Sequence, residues 1–324
     1  MTTADEAFSP LRHRGARGVD GDRLFRAACR AAGIFVLVLL AAIATFLVVK
    51  ALPAFSHDTT SFWTTKTWLT ETTRPTYGIA AIAFGTVESA TIALVVAWPV
   101  ALGVALFVTE YAPRRLATFC GYAIDMLAAI PSVVYGLWGL YWLVPRMAGV
   151  QGWLGRNLGF IPIFKDRYAG IPTKSMFVTG VVLAIMILPI IAAIMREVFR
   201  QADPTHKEAA LALGATRLEM LRMAVLPPSR SGVVGATILG LGRAIGETIA
   251  VALVLGQSFI LNWHVLEPGG STIAANIATQ FGEAGTVGRS ALVASGLVLF
   301  GIALLVNLVA RAIVYRSGRL ERAV

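Results

Sequence analysis

The chain is short of charge. Only 14% of its 324 residues are Asp, Glu, Lys or Arg, against 56% hydrophobic, a balance too apolar for an ordinary soluble domain. It has two cysteines, Cys29 and Cys120; both are expected on the reducing side of a membrane, so no disulfide framework is implied. No lysine follows a glycine, which excludes the G-x4-G-K-[ST] phosphate loop and ATP hydrolysis through it. No internal duplication or low-complexity tract divides the chain, no catalytic or metal-ligating constellation is assigned, and the whole reads as one transmembrane domain.

What is abundant is long apolar sequence. Crossing about 30 Å of hydrocarbon takes roughly 20 apolar residues in a helix, because every backbone group must be satisfied internally. Six stretches meet that need: 31–49, 85–109, 119–143, 177–195, 233–256 and 292–311. The first has an apolar run over 34–49, longer than the roughly 7 to 15 residues of a secretory signal core, and is expected to be a retained span.

The formal charge of +10 does not indicate nucleic acid, because Lys and Arg are scattered between apolar runs and form no basic domain with aromatic platforms. With a cytoplasmic N-terminus, the inside segments hold eighteen Lys and Arg and the outside segments nine. That bias predicts both termini in the cytoplasm. The expected division is a basic tail over 1–30, helical only near Asp22, a permease domain over 31–312 and a tail over 313–324.

Three outer segments follow from this topology. Phe62, Trp63 and Trp68 are expected at the membrane interface. The stretch 145–175, with Trp153, Phe160 and Phe164, has the length of a small external cap or docking surface. Pro268, Gly269 and Gly270 predict a turn before Ser271, the expected N-cap of an amphipathic helix carrying Ile273, Ile277 and Phe281.

The inner loop 196–230 is visibly structured. Asp203 before Pro204 starts a helix that should end at Gly214, and Thr216 with Glu219 forms a T-x-x-E capping box for a second, stopped by Pro227 and Pro228. Leu218, Leu221 and Val225 share one face of it. That face packs either on the chain's own membrane ends or on a partner.

In the fifth stretch, Arg243 and Glu247 lie four residues apart, which on a continuous helix places them on one face. A charge near mid-membrane costs roughly 2.5 to 3.5 kcal/mol and should face a partner or a water-filled path. Either Arg243 is an anion contact on a path, with Glu247 holding it, or the two form a static pair that only locks helix packing, which Gly240, Gly242 and Gly246 would favour. Glu88 and Asp125 are expected to be structural, and Pro99, Pro131 and Pro189 to bend their helices.

Glu208, Ala209, Ala210, Gly214, Leu226 and Pro227 match the EAA-x3-G-x9-I-x-L-P signature, with Ala224 in place of Ile. The chain thereby resembles the permeases of ABC importers, all-α membrane proteins of the type I importer fold. The stretch 242–248, GRAIGET, and 131–139, PSVVYGLWG, resemble the PstC-type permeases of phosphate importers within that family.

The resemblance implies several things. The loop, through Glu208, Ala209, Ala210, Gly214, Leu218, Leu221, Leu226 and Pro227, would be the coupling element that docks on an ATPase. The chain would not be an enzyme and would bind no cofactor, ATP and Mg being used by the partner ATPase. The partners would be a PstA-like permease, two PstB-like ATPases and a PstS-like phosphate-binding protein, in a bacterial inner membrane, with Arg243 and Glu247 on the substrate path. Another oxyanion, an ion-coupled transporter or a membrane signalling component are the alternatives.

Overall fold

The computed structural model describes residues 18–57, 61–70, 75–168, 171 and 173–321. Most of the basic tail therefore lies outside the described residues. Twelve α-helices and one two-stranded ribbon make up the described part. Helix α1 covers Gly18–His57, and the ribbon pairs β1, Trp68–Leu69, with β2, Thr76–Tyr77. There follow α2 (Ala80–Leu106), α3 (Arg114–Ala128), α4 (Ser132–Trp138), α5 (Val144–Leu158) and α6 (Met176–Arg200). Helices α7 (Pro204–Ala212) and α8 (Arg217–Met220) form the inner loop, before α9 (Leu226–Gly246), α10 (Ile249–Val254), α11 (Ile273–Gln280) and α12 (Thr286–Glu321).

The chain divides into two units, one ending at Val49 and one from Lys50 onward. In the first, α1 carries the apolar run from Ile34, its large side chains exposed, and an Arg26–Asp22 pair at 2.6 Å about two turns earlier. An apolar helix with no covering of its own is stable in lipid or against another protein, not in water.

The second unit is built around α6. Its Val182, Leu183, Ile187, Ile191, Met195 and Phe199 are buried. Against it α2 presents an alanine stripe, Ala90, Ala93, Ala97, Ala101 and Ala105, at spacings of three and four, all buried. Small residues let helix backbones approach closely, which in lipid replaces the hydrophobic drive of water-soluble packing. Gly240 does the same on α9, where an added Cβ would meet Ile191 at 2.5 Å.

A second core cluster forms around Trp68 and Tyr77. Trp68 stacks on Phe259 at 6.3 Å and lies 6.1 Å from Tyr77, whose hydroxyl donates to the Ala54 carbonyl at 2.5 Å. Phe62 and Trp68 are buried here and only Trp63 is exposed, so the expected interfacial belt is mostly core. Helix α5 and the segment before α6 interlock through Gln151, which donates to Ser175 Oγ at 2.7 Å and accepts from Thr173 at 3.3 Å. The N-cap of α11 is Thr272, one residue after the expected Ser271.

Four helical stretches among the described residues are long and apolar enough to cross a membrane: Gly21–Ser56, Ala80–Tyr111, Met176–Arg200 and Thr286–Ala312. The expected span over 119–143 is bent at Pro131, as expected of that proline, but the bend is a full break: Arg114–Ala128 meets Ser132–Leu158 at 90°. A proline lacks the amide that would carry the helix across that point. The expected span over 233–256 is also broken. Its first helix starts at Leu226 and ends at Gly246, and α10 resumes at Ile249.

Candidate functional site

Arg243 and Glu247 do not share a helix face. Glu247 is extended, at φ −70° and ψ 125°, just past the end of α9, and its Oε1 accepts from the Ala250 amide of α10 at 3.3 Å. The buried carboxylate thus supplies an acceptor to a helix start, where amides lack intrahelical partners. Arg243 is exposed on the last turn of α9 and pairs with no carboxylate among the described residues. Of the three glycines expected to pack closely, Gly240 does, while Gly242 and Gly246 face open space.

The two broken stretches meet. A Cβ on Gly136 of α4 would lie 2.8 Å from Ala250 Cα and 2.9 Å from Leu253 Cδ1 of α10, and one on Gly139 would lie 2.7 Å from Val182 Cγ2 of α6. The segments 131–139 and 242–248, far apart in the chain, therefore border one helix junction. Interrupted helices within a membrane protein are tolerated where they are buried or line a cavity.

The inner loop forms as its local signals require. Asp203 Oδ1 accepts from the Thr205 amide at 2.8 Å, and Pro204 opens α7 where no amide is needed. Gly214 takes φ +86° and ends the first cassette. Thr216 and Glu219 form both halves of the capping box. These hydrogen bonds, Thr205 to Asp203 and Thr216 to Glu219, hold both carboxyls below their ordinary range.

Pro227 and Pro228 do not stop the run. They sit in the first turn of α9, so α8, a π-helical turn over Leu221–Val225 and α9 follow without a break. The predicted apolar face divides: Leu221 and Val225 are buried in the chain's own core, and Leu218 is 53% exposed. Leu211, Leu213 and Met223 are exposed beside it, while Glu208 and Ala209 face outward at the surface, Ala210 half-buried.

Residues 97–319 match the family described as binding-protein-dependent transport system inner membrane component. The chain belongs to that family.

Two curated relatives set its place within it. The phosphate transport system permease protein PstC 2 of Mycobacterium tuberculosis is 43% identical over 296 residues, 90% of this chain and 91% of the relative. The PstC protein of Xylella fastidiosa is 42% identical over 310 residues, covering 95% of each. Among solved structures, a chain of a bacterial alginate ABC transporter in complex with an alginate pentasaccharide-bound periplasmic protein superposes with a TM-score of 0.60 at 16% identity, covering 94% of this chain and 98% of that one. A chain of the inward-facing MetNI methionine transporter gives 0.51 at 18%, covering 73% and 96%. At such identity these two establish the fold alone, that of type I ABC importer permeases.

Several residues of this permease were not singled out from the sequence. Lys207 Nζ lies 2.6 Å from Glu110 Oε1, both largely shielded from solvent, and Arg217 sits over the Tyr111 ring at 5.9 Å. Together they fasten the inner loop to the π-helical turn Phe107–Tyr111 that ends α2. Asp125 is structural as expected: Arg196 Nη2 of α6 donates to both of its oxygens, at 3.0 and 3.1 Å. Glu88 lines a small cavity with Asn262, His264 and Glu267. A groove of about 420 Å³ among α2, α9 and α12 is almost wholly apolar and offers an anion nothing to bind.

Proposed function

We infer that this permease is the phosphate-conducting membrane subunit of an ATP-driven importer. The observation that carries the reading is the identity of 43% along 90% of the chain to a relative named as a phosphate transport permease. Arg243 supplies the chemistry. Its planar fork matches an oxyanion with paired donors, and with no carboxylate partner among the described residues its charge is available to a passing anion.

In this reading the membrane is crossed six times, by α1, α2, the α3–α5 unit, α6, the α9–α10 unit and α12, with both termini in the cytoplasm of a bacterium. A PstA-like permease completes the path, two PstB-like ATPases bind ATP and Mg, and a PstS-like protein delivers phosphate from outside. The loop around Glu208 to Pro227 is the coupling element. Exposed Leu211, Leu213, Leu218 and Met223 offer the ATPase an apolar knob, and closure of the ATPase pair moves the loop and the α9 end bearing Arg243.

The test is ATP-driven phosphate uptake by liposomes holding the four-component assembly. Wild type accumulates phosphate and not sulfate, and Arg243→Gln loses uptake while still assembling. Sulfate uptake by wild type would overturn the cargo, and unchanged phosphate uptake by Arg243→Gln would overturn the role of that side chain.

A further inference from the structure

A basic notch separate from the α4–α10 junction opens between α3 and α6. It has a volume of about 190 Å³ and is lined by Thr118, Gly121, Tyr122 and Asp125 from α3 and by Arg196 and Arg200 from α6. Gly121 is what lets the arginine in: a Cβ there would lie 2.6 Å from Arg196 Nη1. The Arg196 side chain is 11% exposed, and among the described residues its hydrogen bonds run from Nη2 to Asp125. Its Nε is buried and has no hydrogen-bond partner among the described residues. A guanidinium has five N–H donors, and leaving them unmet in a shielded place is costly.

Arg200, one turn further on, is exposed and pairs with no carboxylate among the described residues. Two guanidinium groups against one carboxylate leave the notch with a net positive charge. Beside it, α3 presents Phe119, Tyr122 and Met126, 70%, 66% and 73% exposed, at spacings of three and four along one face. This amphipathic helix stands at 90° to the α4–α5 stretch, and the notch lies at the end of the span formed by α6. An amphipathic helix with a basic edge at the end of a span has the form of an element lying at headgroup depth.

We propose that the α3–α6 notch binds the headgroup phosphate of an anionic phospholipid, with Arg196 and Arg200 taking the phosphodiester oxygens and the Phe119–Tyr122–Met126 row bedding an acyl chain. The phosphate chemistry is shared with the inorganic anion, and the apolar row decides between them, because only an amphiphile satisfies both parts. The site is independent of the cargo path and of its identity.

The assembled permease, purified with its co-expressed partners in mixed micelles, is titrated with phosphatidylglycerol or phosphatidylcholine and bound lipid is counted by native mass spectrometry. Wild type retains phosphatidylglycerol in preference to phosphatidylcholine, and millimolar inorganic phosphate does not displace it. Arg200→Gln, which orphans no carboxylate and so spares the fold, weakens retention about fivefold, the effect of one basic residue near a headgroup; Phe119→Ser weakens it as well. Arg196→Gln abolishes retention, and Arg196→Lys restores part of it. Equal retention by Arg200→Gln and wild type overturns the site, and displacement by inorganic phosphate overturns the lipid in favour of a free anion.

Discussion

Lys207 and Glu110, 97 residues apart in the chain, meet at 2.6 Å and tie the first helix of the inner loop to the π-helical turn that follows α2. The π-helical turn on the Glu110 side is a geometry that recurs at functional sites. Glu110→Gln and Lys207→Gln are each expected to lower ATP-driven uptake several-fold while the assembly still forms. Neighbours in one ion pair couple by about 0.5 to 3 kcal/mol in a double-mutant cycle. Additive single and double variants in thermal melts would show that the pair is incidental.

Gly136→Ala should be poorly tolerated and Gly242→Ala well tolerated, although both glycines lie in the two signature segments. The first Cβ enters the α10 backbone at 2.8 Å and the second meets nothing within 4 Å. Overpacking of this kind costs about 1 to 3 kcal/mol. A melting curve of each variant in detergent decides it: equal midpoints would mean that α4 and α10 do not pack as described.

Leu213→Asp and Val225→Ala test the two sides of the loop. Leu213 is 89% exposed, so its change leaves the fold intact and weakens co-purification of the ATPase; Val225 is fully buried, so its truncation lowers stability by about 2 kcal/mol. Retention of the ATPase by Leu213→Asp at wild-type yield would remove this leucine from the docking surface.

The loop caps respond to acid. Asp203 and Glu219 are held below their ordinary values of 3.8 and 4.5 by backbone amides. Their ionised forms therefore stabilise the folded loop. That contribution is present above the ordinary values and is lost as pH falls through the lowered ones. Exchange protection of the Thr205 and Thr216 amides should hold at neutral pH and decline in the acid range below about pH 4. In Asp203→Ala and Glu219→Ala the same amides should exchange fast at every pH, and an acid decline that survived the substitutions would point to other groups.

Local signals in the sequence translated into structure almost residue by residue. Asp203 with Pro204, Gly214, and Thr216 with Glu219 each act within one turn of helix, so their partners were visible in the spacing. The apolar runs near α1, α2, α6 and α12 were long enough to be placed by length alone. The bend at Pro131 was marked by the proline itself, though not its 90° size, whereas the break at Gly246–Glu247 was harder, because a hydropathy average runs smoothly over it. The four-residue spacing of Arg243 and Glu247 implied a pair only while the helix was taken to continue. Contacts across the fold, Glu110 with Lys207 and Gly136 with Ala250, had no signal in a single sequence, since neither partner's neighbourhood names the other.

The unbroken passage from the inner loop into α9 makes that helix a lever arm. From Leu226 to Arg243 the shaft is about 26 Å long at 1.5 Å per residue, with its fulcrum near the prolines and the π-helical turn before them. A tilt of about 5° at the base then swings the guanidinium through roughly 2 Å, which under the proposed role of Arg243 is close to the difference between gripping an oxyanion and letting it go.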